Sequence, residues 1–296
     1  MAFWSSGEGL SLLAAFAWAA AILFFKRAGD TVPPVALNLF KNTVGLICLF
    51  GTLVVVGEPL WQDVAPEDAI LLLTSGVIGM TLADTLFFRS LNLLGASRSA
   101  IVDCFYTPSV VLFSSVILGE ELTWLTGPGV VCVTGGILML GLEKPAAPIP
   151  RRLFAEGIIL GISAVSLMAI GIVMVKPVLA THSVLWATTM RVIGGTTALG
   201  IATLFTRRLR IDALAVFVPS RIWWFAIPGS FFGAYLALVV WVGGMKYSQA
   251  ITASILNQMS TLLVVLLAAV FLKEALTWQK IVAMVLGVVG SVLALI

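Results

Sequence analysis

Four ionisable side chains stand deep inside apolar stretches of this 296-residue sequence: Lys41, Asp84, Asp103 and Arg191. A charge among hydrocarbon costs about 2.5 kcal/mol or more, so such residues pair internally, hold a charged ligand, or pass protons. Counted from the ends of their stretches at about 1.5 Å per residue, Lys41, Asp84 and Asp103 lie roughly 7 to 12 Å below one common surface and could meet. Lys41 could then pair with one or both aspartates, a buried ion cluster that fixes packing. Alternatively Asp84 or Asp103 is a proton-coupling group. A deep arginine with no carboxylate needs carbonyls, water or an anionic ligand, so Arg191 is the candidate for binding a carboxylate or similar group. Its alternatives are a pair reaching across to Asp84 or Asp103, or a cap on helix ends.

Polar residues flank these charges at helical spacing. Asn38, Lys41 and Asn42 form one stripe, Thr188 and Arg191 a second, and Asn257 and Gln258 fall in a third apolar stretch. Together they could line a cavity, or serve as interhelical hydrogen bonds that touch no ligand. Trp18, Tyr106, Trp186, Tyr235 and Trp241 could stack a flat substrate, with packing as the alternative for each. Trp4, Trp61, Trp223 and Trp224 fall near the ends of stretches, where a membrane-interface belt would place them.

Missing chemistry is as informative. The chain has one histidine, His182, near the end of a stretch, so no metal ligand set can be assembled. Neither G-x-S-x-G, H-E-x-x-H nor G-x-x-x-x-G-K-[ST] occurs, which removes the common nucleophile, zinc and phosphate-loop motifs and with them ATP-driven pumping by this chain. No enzyme activity, cofactor or metal is expected.

These residues must be positioned by elements that suit their surroundings. Hydrophobic residues make up 60% of the chain and charged ones 10%, against about 25% charged in a soluble domain. Apolar runs fall at about 8–26, 33–56, 69–90, 98–118, 123–142, 155–176, 184–206, 222–245, 249–271 and 278–296. Backbone groups in lipid must bond internally, so the expected class is an all-α membrane protein with ten transmembrane helices. The net charge of +3 implies no nucleic-acid partner, because in such a chain the placement of Lys and Arg matters more than their sum. Cys48, Cys104 and Cys132 lie inside apolar runs and read as small buried hydrophobes. With no Lys or Arg before it, the first run reads as a retained helix rather than a signal peptide.

The least hydrophobic break, Glu143 to Arg152, contains Pro145, Pro148 and Pro150 and reads as a linker (143–152) between two five-helix units, 1–142 and 153–296. An offset of 154 residues carries Leu118-Gly119-Glu120-Glu121-Leu122-Thr123-Trp124 onto Leu272-Lys273-Glu274-Ala275-Leu276-Thr277-Trp278 with five identities in seven. The same offset brings Gly79 onto Gly233, Ala83 onto Ala237, Thr107 onto Thr261 and Gly136 onto Gly290. An offset of 150 brings Lys26 onto Lys176, Lys41 onto Arg191 and Gly45 onto Gly195. Asp84 and Asp103 thus have Leu238 and Asn257 as counterparts. An odd number of helices per unit inverts the second copy, an architecture by which two halves expose a midplane site to either side in turn. Thr123 and Thr277 are expected to cap the helices that follow, with Glu120, Glu121 and Glu274 near the amino ends of those dipoles. Gly127, Gly135, Gly136, Gly287 and Gly290 permit close helix approach between halves or between subunits, so monomer and homodimer both stand.

Over nearly its whole length the sequence resembles the drug/metabolite transporter superfamily, and within it the EamA-type ten-helix members. The resemblance is carried by the doubled junctions Gly119-Glu120-Glu121-Leu122-Thr123-Trp124 and Lys273-Glu274-Ala275-Leu276-Thr277-Trp278, each followed by a glycine-containing apolar helix. Lys273 replaces the usual glycine. The resemblance implies a multi-pass protein of the cell's inner (plasma) membrane that exports or exchanges amino acids, related metabolites or drugs, with a small-molecule substrate and membrane lipid as partners. Export of cationic drugs or nucleoside-like compounds is the alternative cargo, and a non-transporting membrane scaffold the alternative role.

With the amino terminus on side A, the loops on side B hold thirteen of the basic residues and side A only Lys176 and Lys246. The positive-inside rule then puts side B in the cytoplasm and both termini outside. Thr206 to Arg221, with Arg207, Arg208 and Arg210 before Leu214, Val216 and Phe217, reads as a basic interfacial segment on anionic lipid or as an ordinary positive loop.

Overall fold

A computed structural model describes residues 7–62, 64–119, 124–141, 149–247, 256, 257 and 259–293. Helices account for nearly all of the described chain, and no strand occurs among these residues. Six helices are long and apolar enough to cross a membrane: α1 Gly7–Gly29, α2 Pro34–Val56, α3 Pro66–Leu94, α4 Ala96–Leu118, α6 Arg151–Val173 and α10 Trp223–Tyr247. Helix α8, Val184–Phe205, is of similar length and carries Arg191. Three shorter apolar helices complete the bundle, α5 Thr126–Gly141, α11 Met259–Phe271 and α12 Trp278–Leu293. Two connecting helices, α7 Lys176–Thr181 and α9 Arg207–Val216, lie between them.

Local chemistry sets the ends. Pro34 and Pro66 occupy the first turns of α2 and α3, where their missing N–H is no loss, and Glu67 and Asp68 sit at the positive end of α3. Left-handed glycines end helices: Gly57 (φ 75°) after α2 and Gly119 (φ 71°) after α4. The residue opposite Gly119 in the second half, Lys273, holds the same turn at φ 56°, the one left-handed non-glycine among the described residues. The turn therefore survives the loss of glycine, with the strain a side chain brings there.

Packing follows residue size. The inward stripe of α1 is largely alanine, with Ala15, Ala19, Ala21 and Ala28 fully buried beside Phe25. Its neighbours approach closely, and a Cβ on Gly233 of α10 would stand 2.8 Å from Phe25. Outward surfaces carry the opposite pattern. Val54, Val55, Val116, Trp124 and Phe205 are all more than 70% exposed, as residues facing lipid are.

The two halves meet through glycines. A Cβ on Gly136 of α5 would lie 2.7 Å from the Ala283 carbonyl of α12, and one on Gly290 would lie 2.6 Å from the Gly129 carbonyl. These glycines therefore serve contact between halves, while Gly127 and Gly135 meet nothing within 4 Å.

Helices α3 and α10 share an irregularity. Each contains a π turn, Val77–Ala83 in one and Phe231–Ala237 in the other, and the offset between them is again 154 residues. Pro228 precedes only the second, so proline is not the common cause. What the two share is a cross-seated glycine. Gly195 of α8 lies on Met80 of the first π turn, and Gly45 of α2 lies on Ala234 of the second, each at 2.8 Å for a built Cβ. Each half's second long helix thus rests on the other half's π turn.

The loop capping departs from expectation at one end. Thr277 accepts from the Lys280 N–H at 3.4 Å, as an amino-terminal cap would. The Glu274 carboxylate stands 3.7 Å from Lys280 Nζ on the helix it precedes and also reaches across to accept from the N–H groups of Ala96 (2.8 Å) and Ser97 (3.1 Å) at the start of α4. A full helix amino terminus offers more open N–H donors than the turn Glu274 itself occupies. Glu120, Glu121 and Thr123 lie outside the described residues, as do Trp4 and Gln258. Segment 206–221 contains helix α9, with Arg207, Arg208 and Arg210 exposed, Ala213 and Val216 buried, and the Phe217 ring tilted against that of Phe40 with centres 5.3 Å apart.

Candidate functional site

The long helices line a partly open cavity of about 130 Å³. An apolar cavity of about 150 Å³ holds benzene, so this one suits a compact ligand. Its walls combine the two halves in matched pairs: Trp18 with Met168, Lys41 with Arg191, Gly79 with Gly233, Met80 with Ala234, Asp84 with Leu238, and Asp103 with Asn257. Asn42, Tyr106, Ile172 and Trp241 contribute further surface, and Tyr106 and Trp241 meet edge to face at 6.2 Å.

Lys41 on α2 forms a buried ion pair with Asp84 on α3. Only 4% of Lys41 and 7% of Asp84 remain exposed, and the lysine also stands 5.6 Å from the Phe88 ring centre. Each charge compensates the other in a dry setting, where losing either partner costs far more than the pair contributes. Asp103 does not join them. It lines the cavity half-buried, with neither a hydrogen bond nor an ion pair among the described residues.

Arg191 is 5% exposed and forms no ion pair among the described residues. Its Nε donates to Ser75 Oγ at 2.9 Å, while Nη1 has no hydrogen-bond partner. A guanidinium carries five N–H donors and a full positive charge, so one that lines a cavity without an ion pair is an anion-seeking feature. The cavity therefore presents one neutralised cation, one unmatched cation and one unmatched acid.

Several residues expected to line a cavity stand elsewhere. Asn38 is fully buried and its amide donates to the Met80 carbonyl (2.7 Å), the Thr81 carbonyl (3.3 Å) and Thr85 Oγ1 (3.0 Å). Asn42 donates to Asn38 Oδ1 at 3.2 Å and still reaches the cavity. The π turn displaces carbonyls from the regular ladder, and these two amides satisfy them. Thr188, the counterpart of Asn38, is buried with its hydroxyl unpartnered and off the cavity. Trp186 stacks on His182 at 5.1 Å and donates to the Leu60 carbonyl, which places it at the outer end of α8. Tyr235 bonds Thr52 at 2.7 Å, on the far face of its π turn.

Residues the sequence did not single out are mostly apolar. Met80, Met168, Ile172, Ala234 and Leu238 line the cavity but carry no chemical signal of their own. Repeat arithmetic was the available clue, because Met168 and Leu238 are the counterparts of Trp18 and Asp84. Among the described residues no three His, Cys, Asp or Glu side chains converge as a metal site would require.

An all-helical bundle with this apolar exterior and a charged cavity among its helices defines a multi-pass integral membrane protein. The sequence matches the EamA-like transporter family twice, over residues 5–142 and 155–296, and the chain belongs to that family. No curated protein matches it. One solved crystal structure, at 16% identity, is similar over 97% of this chain and 96% of its own, with a TM-score of 0.70, which establishes a shared fold. The protein is accordingly a membrane transporter of small molecules.

Proposed function

We propose that this protein is a secondary transporter, an exporter or exchanger, that carries amino acids or related carboxylates across the cell's inner membrane by alternating access. Arg191 is the observation that carries the reading: a buried guanidinium without an ion pair among the described residues, lining a compact cavity. The neighbouring cation, Lys41, is already balanced by Asp84, so the carboxylate of a substrate goes to Arg191. Asp103 supplies a negative pole that takes either a substrate ammonium or a coupling proton. Ten crossings follow if α8 and the three shorter apolar helices span with the six long ones. Two five-helix halves joined through 143–152 would then be inverted, with the basic loops in the cytoplasm.

The cross-seated π turns support an exchange between two openings, because each half grips the other at the point that lines the cavity. A specific observation favours a second reading. Asp103 stands without a partner in a cavity walled by Trp18, Tyr106 and Trp241, a setting that also suits a cationic drug.

Thermal shift and proteoliposome uptake of purified protein against L-amino acids, other carboxylates, nucleosides and cationic drugs separate the two. Carboxylate-dependent stabilisation that vanishes in Arg191→Gln supports the amino-acid reading. Stabilisation by cationic drugs alone, lost in Asp103→Asn and kept in Arg191→Gln, overturns it.

A further inference from the structure

Helix α3 holds both cavity cations, one at each end of its π turn. Asp84, just after the turn, grips Lys41 from the same half, and Ser75, just before it, grips Arg191 from the other. On a straight α-helix residues nine apart point about 180° apart, at about 100° per residue. A π turn accommodates one extra residue, which reduces the separation to about 80° and turns the two gripping residues toward the same side, where both of the cations they hold line one cavity.

Ser75 is fully buried and its hydroxyl is committed at both ends. Its oxygen donates to the Gly171 carbonyl of α6 at 2.5 Å and accepts from Arg191 Nε at 2.9 Å. The hydroxyl proton therefore points away from the guanidinium, and a lone pair faces it. With Nε fixed, the planar guanidinium loses its rotation and Nη1 stays unmatched. Close backbone contact holds the same crossing: a Cβ on Gly76 would lie 1.8 Å from the Arg191 carbonyl, and one on Gly194 would lie 2.3 Å from the Leu73 carbonyl. The second half has no such device. Gly229 is the counterpart of Ser75, and a side chain there would meet the Phe25 ring at 3.0 Å.

We infer that Ser75 is a positioning residue for substrate selection: by clamping Arg191 at Nε it fixes the guanidinium in one orientation on the cavity wall, where it meets the carboxylate of the substrate. The inference rests on the proposed role of Arg191. Preorganising a donor strengthens its bond to a charged partner without touching the ligand.

The probes are L-leucine and L-leucinamide, which differ only in the carboxylate, measured by uptake and competition in proteoliposomes of the full-length protein. Ser75→Ala is expected to raise the KM for leucine about tenfold while the inhibition constant of leucinamide stays within about twofold. Equal weakening of both ligands, or an unchanged leucine KM, overturns the positioning role. Arg191→Gln is run beside it. If that variant transports leucine as the parent does, or the parent handles neither ligand, the carboxylate reading fails and the inference falls with it. If Arg191→Gln loses leucine and Ser75→Ala does not, only the positioning role is lost. Thermal melting of each variant without ligand identifies unfolding, and Ser75→Cys, which keeps a weak donor and acceptor, is expected to recover part of the leucine affinity if Ser75→Ala proves unstable.

Discussion

The two halves of the molecule place a cation at equivalent positions of equivalent helices, Lys41 on α2 and Arg191 on α8, yet handle it in opposite ways. In the first half Lys41 is answered by a buried acid, Asp84; in the second Arg191 faces Leu238 where that acid would be and is held by a neutral hydroxyl from across the interface. The scaffold features stay doubled: the π turns, the cross-seated glycines and the left-handed turns at Gly119 and Lys273. Duplication has thus preserved what shapes the cavity and released what charges it. An asymmetric ligand needs an asymmetric cavity, and the difference between the halves supplies one.

The comparison can be broken from either side. The largest effect is expected at the balanced pair. Asp84→Leu, which makes the first half resemble the second, strands Lys41 and should destabilise by about 3–5 kcal/mol. The double variant Lys41→Met with Asp84→Leu should recover most of that, and the check is the yield and melting of detergent-purified protein. A double variant as unstable as the single one would show that the pair is not what Asp84 contributes. Next comes the helix crossing. Gly76→Ala drives a Cβ into the backbone of α8 and should cost about 1–3 kcal/mol or more, whereas its counterpart already carries a side chain and Ser230→Ala should cost about 1 kcal/mol or less.

Removing the unmatched charge should separate function from stability. Arg191→Gln is expected to leave melting close to the parent value, because no buried acid is stranded, while carboxylate affinity drops by about 10- to 100-fold. Lys41→Gln should do the reverse, lowering melting through Asp84. Titration of ligand binding beside melting curves tests both together. The smallest effect is at the paired turns. Lys273→Gly should stabilise by about 1 kcal/mol, and Gly119→Ala, which meets open space but keeps φ at 71°, should destabilise by a similar amount.

Much of this was legible in the residue string. Spans showed as apolar runs, and helix ends fell within a few residues of the charges, prolines and glycines that bound them. Lys41, Asp84, Asp103 and Arg191 stood out because charge is rare in such runs, and all four line the cavity. The π turns left no local signature, since they arise where a glycine from the other half presses on the helix. Asn38 therefore read as a cavity residue, although the carbonyls freed by the first π turn claim its amide. Ser75 was equally silent: a hydroxyl among small residues gains its role only when α6 and α8 arrive beside it. Glu274 pointed in sequence to the helix it precedes, where it pairs with Lys280, while its bonds to a distant amino terminus left no trace in the residue string.

The glycine seam between α5 and α12 gives the two units a backbone contact of their own, beside the covalent connection at the middle of the chain. Carbonyl-to-backbone proximity at Gly136 and Gly290 clasps the termini of the two units whether or not a peptide joins them. A side chain at either glycine would therefore push the carboxyl-terminal helices of the two units apart.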